Sequence, residues 1–240
     1  MEWFQNIVDW LVKQFNSTFI VKDRYLLFVE GFKNTIIIAL GAVVIGVLLG
    51  ILVATIRVYY TQTKKLKVLN WICGAYLAIF RGTPVVVQLL IMYFIVLQNV
   101  KNGVIVATIS FGINSGAYVA EIIRAGILAV DIGQTEAGRS LGFSSARTMI
   151  LIVLPQAIKN VLPALGNEFV MLLKETSVAG YISVRDLTRA GENVRANTAE
   201  PFFSLLFVAL VYFILISGIT KLLKMAERRL AKSDRSQKPE

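Results

Sequence analysis

Histidine is absent from the 240-residue sequence, and cysteine occurs once, as Cys73. Without histidine the chain lacks the commonest metal ligand and the commonest general base, so we predict neither a metal site nor a catalytic centre. One cysteine excludes an intrachain disulfide. The phosphate-binding pattern Gly-x-x-x-x-Gly-Lys-Ser/Thr is also missing, which places any nucleotide-binding machinery on another polypeptide.

Acidic residues are scarce as well, with 15 Asp and Glu against 25 Lys and Arg, and 56% of the residues are hydrophobic. A membrane span needs about 20 apolar residues, and five runs are long enough. We therefore predict an all-α, polytopic membrane protein. The predicted spans lie near 28–56, 68–98, 104–128, 151–180 and 201–224.

The basic residues give an orientation signal and not a nucleic-acid surface. They concentrate in the first loop, in the 129–150 insert and in the C-terminal tail, and five spans put these three regions on one side. By the positive-inside rule that side is cytoplasmic, with the N-terminus outside the cell membrane. We divide the chain into an extracytoplasmic segment 1–27, a membrane domain 28–224 and a cytoplasmic basic tail 225–240.

The N-terminal segment carries apolar residues at helical spacing, among them Phe4, Leu11 and Phe15. This pattern suits an amphipathic helix on the outer lipid surface. A frayed terminal helix is the alternative.

The second span is interrupted by Arg81-Gly82-Thr83-Pro84. Because Pro84 removes a backbone donor, we expect a kink there. A charged Arg81 at this depth must face protein or water, either pairing with a carboxylate for assembly or contacting substrate. Gln88 lies two helical turns further along the same face.

Two later spans also carry charge. Glu121 and Arg124 are three residues apart near the cytoplasmic end of the third span, where a structural or gating ion pair is expected. Asn167 and Glu168 lie about midway along the fourth span, and an acidic group at such a depth predicts a functional site.

The polar insert carries the most specific pattern. Glu136-Ala137-Gly138, then Gly142, then Ile152-x-Leu154-Pro155 resembles the EAA motif of ABC-importer permeases, with Gly138 in place of the second alanine. Arg-Gly-Thr-Pro-x-x-x-Gln at 81–88 and Ala-Tyr-x-x-Glu-x-x-Arg at 117–124 resemble the polar-amino-acid branch of that family, most closely its permeases for basic amino acids.

The resemblance implies a five-helix type I importer permease fold with cytoplasmic coupling helices, acting as a homo- or heterodimer. It implies that Glu136, Ala137, Gly138, Arg139 and Gly142 dock on a separate ATPase subunit, which holds ATP and Mg. Within the insert, Glu136 is expected to begin a short helix or lie early in it, and Gly142 to supply the turn between two short helices. It also implies an extracytoplasmic amino-acid-binding protein as partner, and a chain that is not itself an enzyme.

Glu168 in mid-membrane favours a cationic substrate, so we predict arginine, lysine or histidine, with glutamine or another neutral polar amino acid as the alternative. Further candidate substrate contacts are Asn167, Asn114, Gln88 and Arg81, while Glu121, Arg124 and Pro84 are assigned structural or gating roles. An ATP-independent secondary transporter or a membrane scaffold are the rival classes. The sequence lacks the internal repeat that many secondary transporters carry, and the interrupted second span argues against a scaffold.

Overall fold

The computed structural model describes the backbone of residues 1–235 and the side chains of residues 1–228. Every described element is helical. The α-helices are α1 (Glu2–Phe15), α2 (Tyr25–Thr63), α3 (Lys67–Gly82), α4 (Val85–Ile91), α5 (Gly103–Leu128), α6 (Ile132–Ser140), α7 (Ser145–Thr148), α8 (Leu154–Glu175), α9 (Leu187–Thr198) and α10 (Pro201–Arg235).

Helices α2 and α5 form the centre of the bundle, and their glycines show that they run parallel. A Cβ on Gly41 would lie 2.5 Å from Thr108 Cγ2, and one on Gly50 would lie 2.4 Å from Val119 Cγ1. Both helices advance in the same direction between these two contacts. The chain between α2 and α5 must therefore cross back, which makes α3 and α4 one broken span.

The break in that span is sharper than the predicted kink. Helix α3 ends at Gly82, and α4 with its π-helical extension Met92–Val96 starts after Pro84, at an angle of 112°. Thr83 and Pro84 both have extended backbones, which is the conformation proline imposes on itself and on its predecessor. Four long apolar helices and this bent pair make up to five spans.

Helix α8 runs antiparallel to α5. A Cβ on Gly126 would lie 2.3 Å from Val161 Cγ2, whereas Ser115 contacts Glu168 further along α8. The insert 129–150 therefore lies at the same end of the bundle as the loop between α2 and α3. The fourth span, which contains α8, is longer than predicted, because a π-helical stretch Met149–Val153 and a 3-10 helix Thr176–Ile182 extend it at both ends.

Apolar residues from α2, α4, α5 and α8 form the main core, including Ile38, Leu89, Phe111 and Leu172. Helix α10 packs on α9 and α8 and continues to Arg235, past the predicted span end at residue 224. Part of the predicted tail 225–240, residues 236–240, lies outside the described residues. Helix α1 buries none of its residues, although the Trp10 ring lies 5.8 Å from that of Phe203.

Candidate translocation site and coupling insert

The broken span exposes backbone carbonyls that an intact helix would satisfy, and two amide side chains bind them. Gln88 Nε2 lies 3.0 Å from the carbonyl oxygens of both Phe80 and Thr83, and 2.8 Å from Thr83 Oγ1. Asn114 Nδ2, from α5, donates to Phe80 O at 3.2 Å and to Gln88 Oε1 at 2.8 Å. Within a bilayer such carbonyls need partners of this kind, because lipid supplies no hydrogen-bond donors.

A second polar contact lies on the α8 side of α5. The Ser115 hydroxyl donates to Glu168 Oε1 at 2.7 Å, and Glu168 is only 6% exposed. Among the side chains of residues 1–228, no Lys or Arg nitrogen lies within 4.0 Å of this carboxylate. Ser115 is itself fully buried beneath Gly46 of α2. The arrangement holds an acidic group in a compact interior with one hydroxyl as its bonded partner.

A third cluster surrounds Glu121, one to two turns nearer the insert. Arg124 binds Glu121 Oε2 through NH2 at 2.8 Å and through Nε at 3.1 Å. Arg81 NH1 lies 3.8 Å from the same oxygen, and its guanidinium lies 5.8 Å from the ring centre of Tyr118. Arg81 thus lies within ion-pair distance of a carboxylate, and whether it serves assembly or substrate binding stays a prediction.

The predicted substrate-binding residues do not all lie at one site. Gln88 and Asn114 lie together at the helix break, and Arg81 lies in the Glu121 cluster. Glu168 of α8 is buried against another face of α5, where it contacts Ser115. Asn167 is exposed. The consecutive residues Asn114 and Ser115 connect the helix break to Glu168. The substrate roles of the predicted residues remain predictions.

Sequence reasoning missed Ser115 and Thr83, which supply the hydroxyls at Glu168 and at the break. Both are small polar residues beside residues that the motifs singled out. That adjacency was the available signal.

The insert forms two short helices, α6 and α7, joined by a turn at Gly142, whose φ is +84°. Only glycine adopts this conformation at little cost, as the predicted turn requires. Asp131 caps α6 through Gly133 N at 2.7 Å. The expectation that Glu136 lies early in the helix is wrong, because α6 begins four residues before it. Glu136, Ala137 and Arg139 are exposed.

Gly138, in contrast, is buried under the start of the fourth span. A Cβ there would lie 2.7 Å from both Thr148 Cγ2 and Ile152 Cδ1. Contacts this short do not occur in folded proteins without a shift of the neighbours. An alanine at position 138, as in the EAA motif, would therefore require Thr148 or Ile152 to shift in this chain.

At the opposite end of the bundle, the segment before α9 is fastened to α2. Asn34 Nδ2 donates to the Arg185 carbonyl at 2.8 Å, and Leu187 N donates to Thr35 Oγ1 at 3.1 Å. The fully buried Asp186 caps α9 by accepting from Thr188 N at 2.8 Å. Burial raises the pKa of the Asp186 carboxyl to about 6.

The family is decided by a comparison over most of the chain. The model for the family "Binding-protein-dependent transport system inner membrane component" matches residues 28–232. The chain belongs to this family. It is thus the inner membrane permease component of an ABC importer, and the rival classes of secondary transporter and scaffold are set aside.

Relatives narrow the branch. The putative glutamine transport system permease protein GlnP of Rickettsia felis is 40% identical over 210 residues, which cover 86% of this chain and 94% of that protein. The arginine transport system permease protein ArtQ of Bacillus subtilis is 36% identical over 208 residues, covering 85% of this chain and 93% of that protein.

A solved structure supports the same assignment. The crystal structure of an amino acid ABC transporter with histidines matches with a TM-score of 0.80 and 40% identity, covering 88% of this chain and 98% of that chain. The predicted type I permease fold and the resemblance to the polar-amino-acid branch are confirmed. The relatives are named for different amino acids, so the substrate stays a prediction.

Proposed function

We propose that this chain is the translocating subunit of an importer for basic amino acids, and that Glu168 recognises the cationic side chain of the substrate. The observation that carries the proposal is the buried Glu168 carboxylate with Ser115 Oγ at 2.7 Å and no cationic side chain of the described residues in contact.

The physical argument is one of compensation. A buried charge is costly unless it is paired, and intramembrane carboxylates pair with cations or line a pathway. A guanidinium or ammonium group of the substrate would supply the missing partner when the helices around Ser115 separate. A neutral side chain would supply only hydrogen bonds.

Glutamine is the second candidate substrate. The relative named for glutamine is 40% identical to this chain, against 36% for the one named for arginine. The carboxamide of glutamine can donate to Glu168 as well, with less electrostatic gain.

Competition for uptake separates the two. Proteoliposomes with the permease, its ATPase subunit and its binding protein would be loaded with ATP and Mg and given radiolabelled arginine. We expect lysine to compete and glutamine to compete weakly. Glu168→Gln should lower arginine uptake by roughly tenfold to a hundredfold, the range of a lost charge-assisted hydrogen bond of about 1.5 to 3 kcal/mol.

Glu175→Gln is the matched control, because Glu175 lies on the same helix and is half-buried. It should leave the preference for arginine intact. Unchanged arginine uptake and binding in Glu168→Gln would refute the recognition role. Stronger competition by glutamine than by lysine in the wild type would favour the second candidate.

We also propose that α6 docks on the ATPase through its exposed residues Glu136, Ala137 and Arg139, with Gly138 and Gly142 shaping the insert. Glu136→Lys should abolish uptake and leave membrane insertion intact. Glu227→Lys, a charge reversal on α10 outside the insert, should not. Normal uptake in Glu136→Lys would contradict docking at this position.

The proposed orientation places the insert in the cytoplasm and α1 outside. Support comes from the basic residues Lys64 and Lys65, which lie at the same end of the bundle as the insert. In a Cys73→Ser background, an impermeant maleimide should label Lys101→Cys in intact cells but Lys65→Cys only after permeabilisation. The reverse pattern would invert the assignment.

A further inference from the structure

Among the described residues, the donors that bind the backbone carbonyls at the C-terminal end of α3 belong to side chains and not to the backbone. A helix leaves its last four carbonyls without intrahelical partners, and inside a membrane these need other donors. Thr83 Oγ1 donates to Ile79 O at 2.8 Å, and Gln88 and Asn114 donate to Phe80 O at 3.0 and 3.2 Å. Two of the four terminal carbonyls are thereby bound.

The same side chains tie α4 to the break. Gln88, in the first turn of α4, also binds Thr83 O, which lies between the two helices. The backbone N–H groups of Val87 and Gln88 donate to Pro84 O at 3.1 and 3.2 Å. Both arms of the 112° bend are therefore joined through Gln88.

Asn114 then fixes the bend to α5. Its amide reaches Gln88 Oε1 at 2.8 Å, and the next residue, Ser115, holds Glu168 at 2.7 Å. The break and the buried carboxylate are thus positioned by consecutive residues of one helix. A change in the bend would move α5 at the level of Glu168.

We propose that Thr83, Gln88 and Asn114 are positioning residues for transport, which replaces the substrate contacts predicted for Gln88 and Asn114 from the sequence. They hold the broken span on α5 in the geometry from which the pathway opens, and they do not bind the amino acid. The inference rests on the proposed transport function, but not on the role of Glu168 or on the identity of the substrate. If these residues only position the helices, substituting them should lower the turnover rate of transport and leave the substrate affinity unchanged.

The test uses the reconstituted complex of permease, ATPase and binding protein, with whichever of arginine or glutamine the wild type imports. Gln88→Met keeps the side-chain length and removes every amide contact. We expect Vmax to fall by roughly tenfold, which corresponds to about 1.4 kcal/mol, with KM unchanged. Hydrogen–deuterium exchange of peptides spanning residues 83–91 should become faster.

Thr83 provides a matched pair that keeps the test decisive if Gln88→Met does not fold. Thr83→Val removes the hydroxyl and should reproduce both effects, whereas Thr83→Ser keeps it and should restore Vmax and slow exchange. Thr55→Val makes the same replacement at a hydroxyl that binds Ile51 O within α2, and should change neither readout.

Three results would overturn the proposal. A raised KM with unchanged exchange at 83–91 would make these side chains substrate contacts. Unchanged Vmax in both Gln88→Met and Thr83→Val would show that the bend needs no such support. Equal loss in Thr83→Ser and Thr83→Val would remove the hydroxyl from the explanation. Failure of Glu168→Gln to alter substrate preference would leave all of these measurements valid.

Discussion

Gly46 of α2 lies directly against Ser115 of α5, the residue whose hydroxyl holds Glu168. A Cβ on Gly46 would lie 2.8 Å from Ser115 Oγ and 3.0 Å from its Cβ. The absence of a side chain at position 46 is therefore what lets the two parallel helices approach at the level of the buried carboxylate.

Gly46→Ala should separate α2 from α5 and lower the stability of the protein. Overpacking of this kind costs about 1 to 3 kcal/mol, more than the gain in helix propensity of up to about 1 kcal/mol. Thermal unfolding in nanodiscs measures the effect. Gly218→Ala, on α10, should be neutral or stabilising, because beyond its own helix no atom of the described residues lies within 4 Å of the added methyl group. Equal behaviour of the two variants would contradict the steric argument.

Gly138→Ala restores the alanine of the EAA motif, yet we expect it to impair transport in this chain. The new methyl group would meet Thr148 Cγ2 and Ile152 Cδ1, each at 2.7 Å, and would push α6 away from the fourth span. Uptake by the reconstituted complex should fall, whereas binding of substrate to the binding protein should not.

The compensating variant makes this prediction sharp. Thr148→Ser and Ile152→Val together delete the two methyl groups concerned. In that background Gly138→Ala should recover most of the lost uptake. If the double change alone were as harmful as Gly138→Ala and gave no recovery, the contact would not explain the glycine.

Much of this architecture follows from the sequence, because apolar length and motif spacing are local properties. Local patterns of this kind predict the five apolar runs, the interruption at Pro84 and the turn at Gly142. They do not predict the 112° bend, since a proline can kink a helix or end it. Whether the helix kinks or ends depends on whether hydrogen-bond donors for the freed carbonyls are available. Gln88 and Asn114, which are 26 residues apart in the sequence, supply these donors.

The candidate site shows the same limit. Glu168 was recognisable as a buried acid from its place in an apolar run, but its contact with Ser115 spans 53 residues. Likewise, Arg81 could have faced substrate or a carboxylate, and only the packing of α3 on α5 brings it to Glu121. Pairings of this kind depend on helix rotation, which hydropathy does not specify.

Asp186 should make the stability of the protein depend on pH between about 4 and 6. Its pKa is raised from 3.8 to about 6 in the folded state, chiefly by burial, so the folded protein binds the proton more tightly than the unfolded chain. Stability from this group therefore increases as the pH falls through 6 toward 4, and is lost as the pH rises again.

Comparison with Asp186→Asn isolates this contribution, because asparagine is also a good cap for α9 but does not titrate. The melting temperature of the wild type relative to the variant should rise on going from pH 7 to pH 4. Asp9→Asn, on the exposed face of α1, should show no such trend. A constant difference between wild type and Asp186→Asn across this range would refute the raised pKa.

The Glu121 cluster holds two arginines on one carboxylate, and this predicts an unusual pattern of rescue. Glu121→Gln removes the charge that binds Arg124 at 2.8 Å and Arg81 at 3.8 Å, and so leaves both guanidinium groups without this compensating charge. We expect a loss of about 1 kcal/mol in stability, since both arginines are partly exposed, and a reduced rate of uptake.

Arg81→Gln in the Glu121→Gln background should recover part of the lost stability and of the lost uptake, whereas Arg81→Gln alone should be mildly harmful. A double-mutant cycle on melting temperature and Vmax measures the coupling. Additive losses would show that Arg81 does not sense the charge of Glu121, and would assign the carboxylate to Arg124 alone.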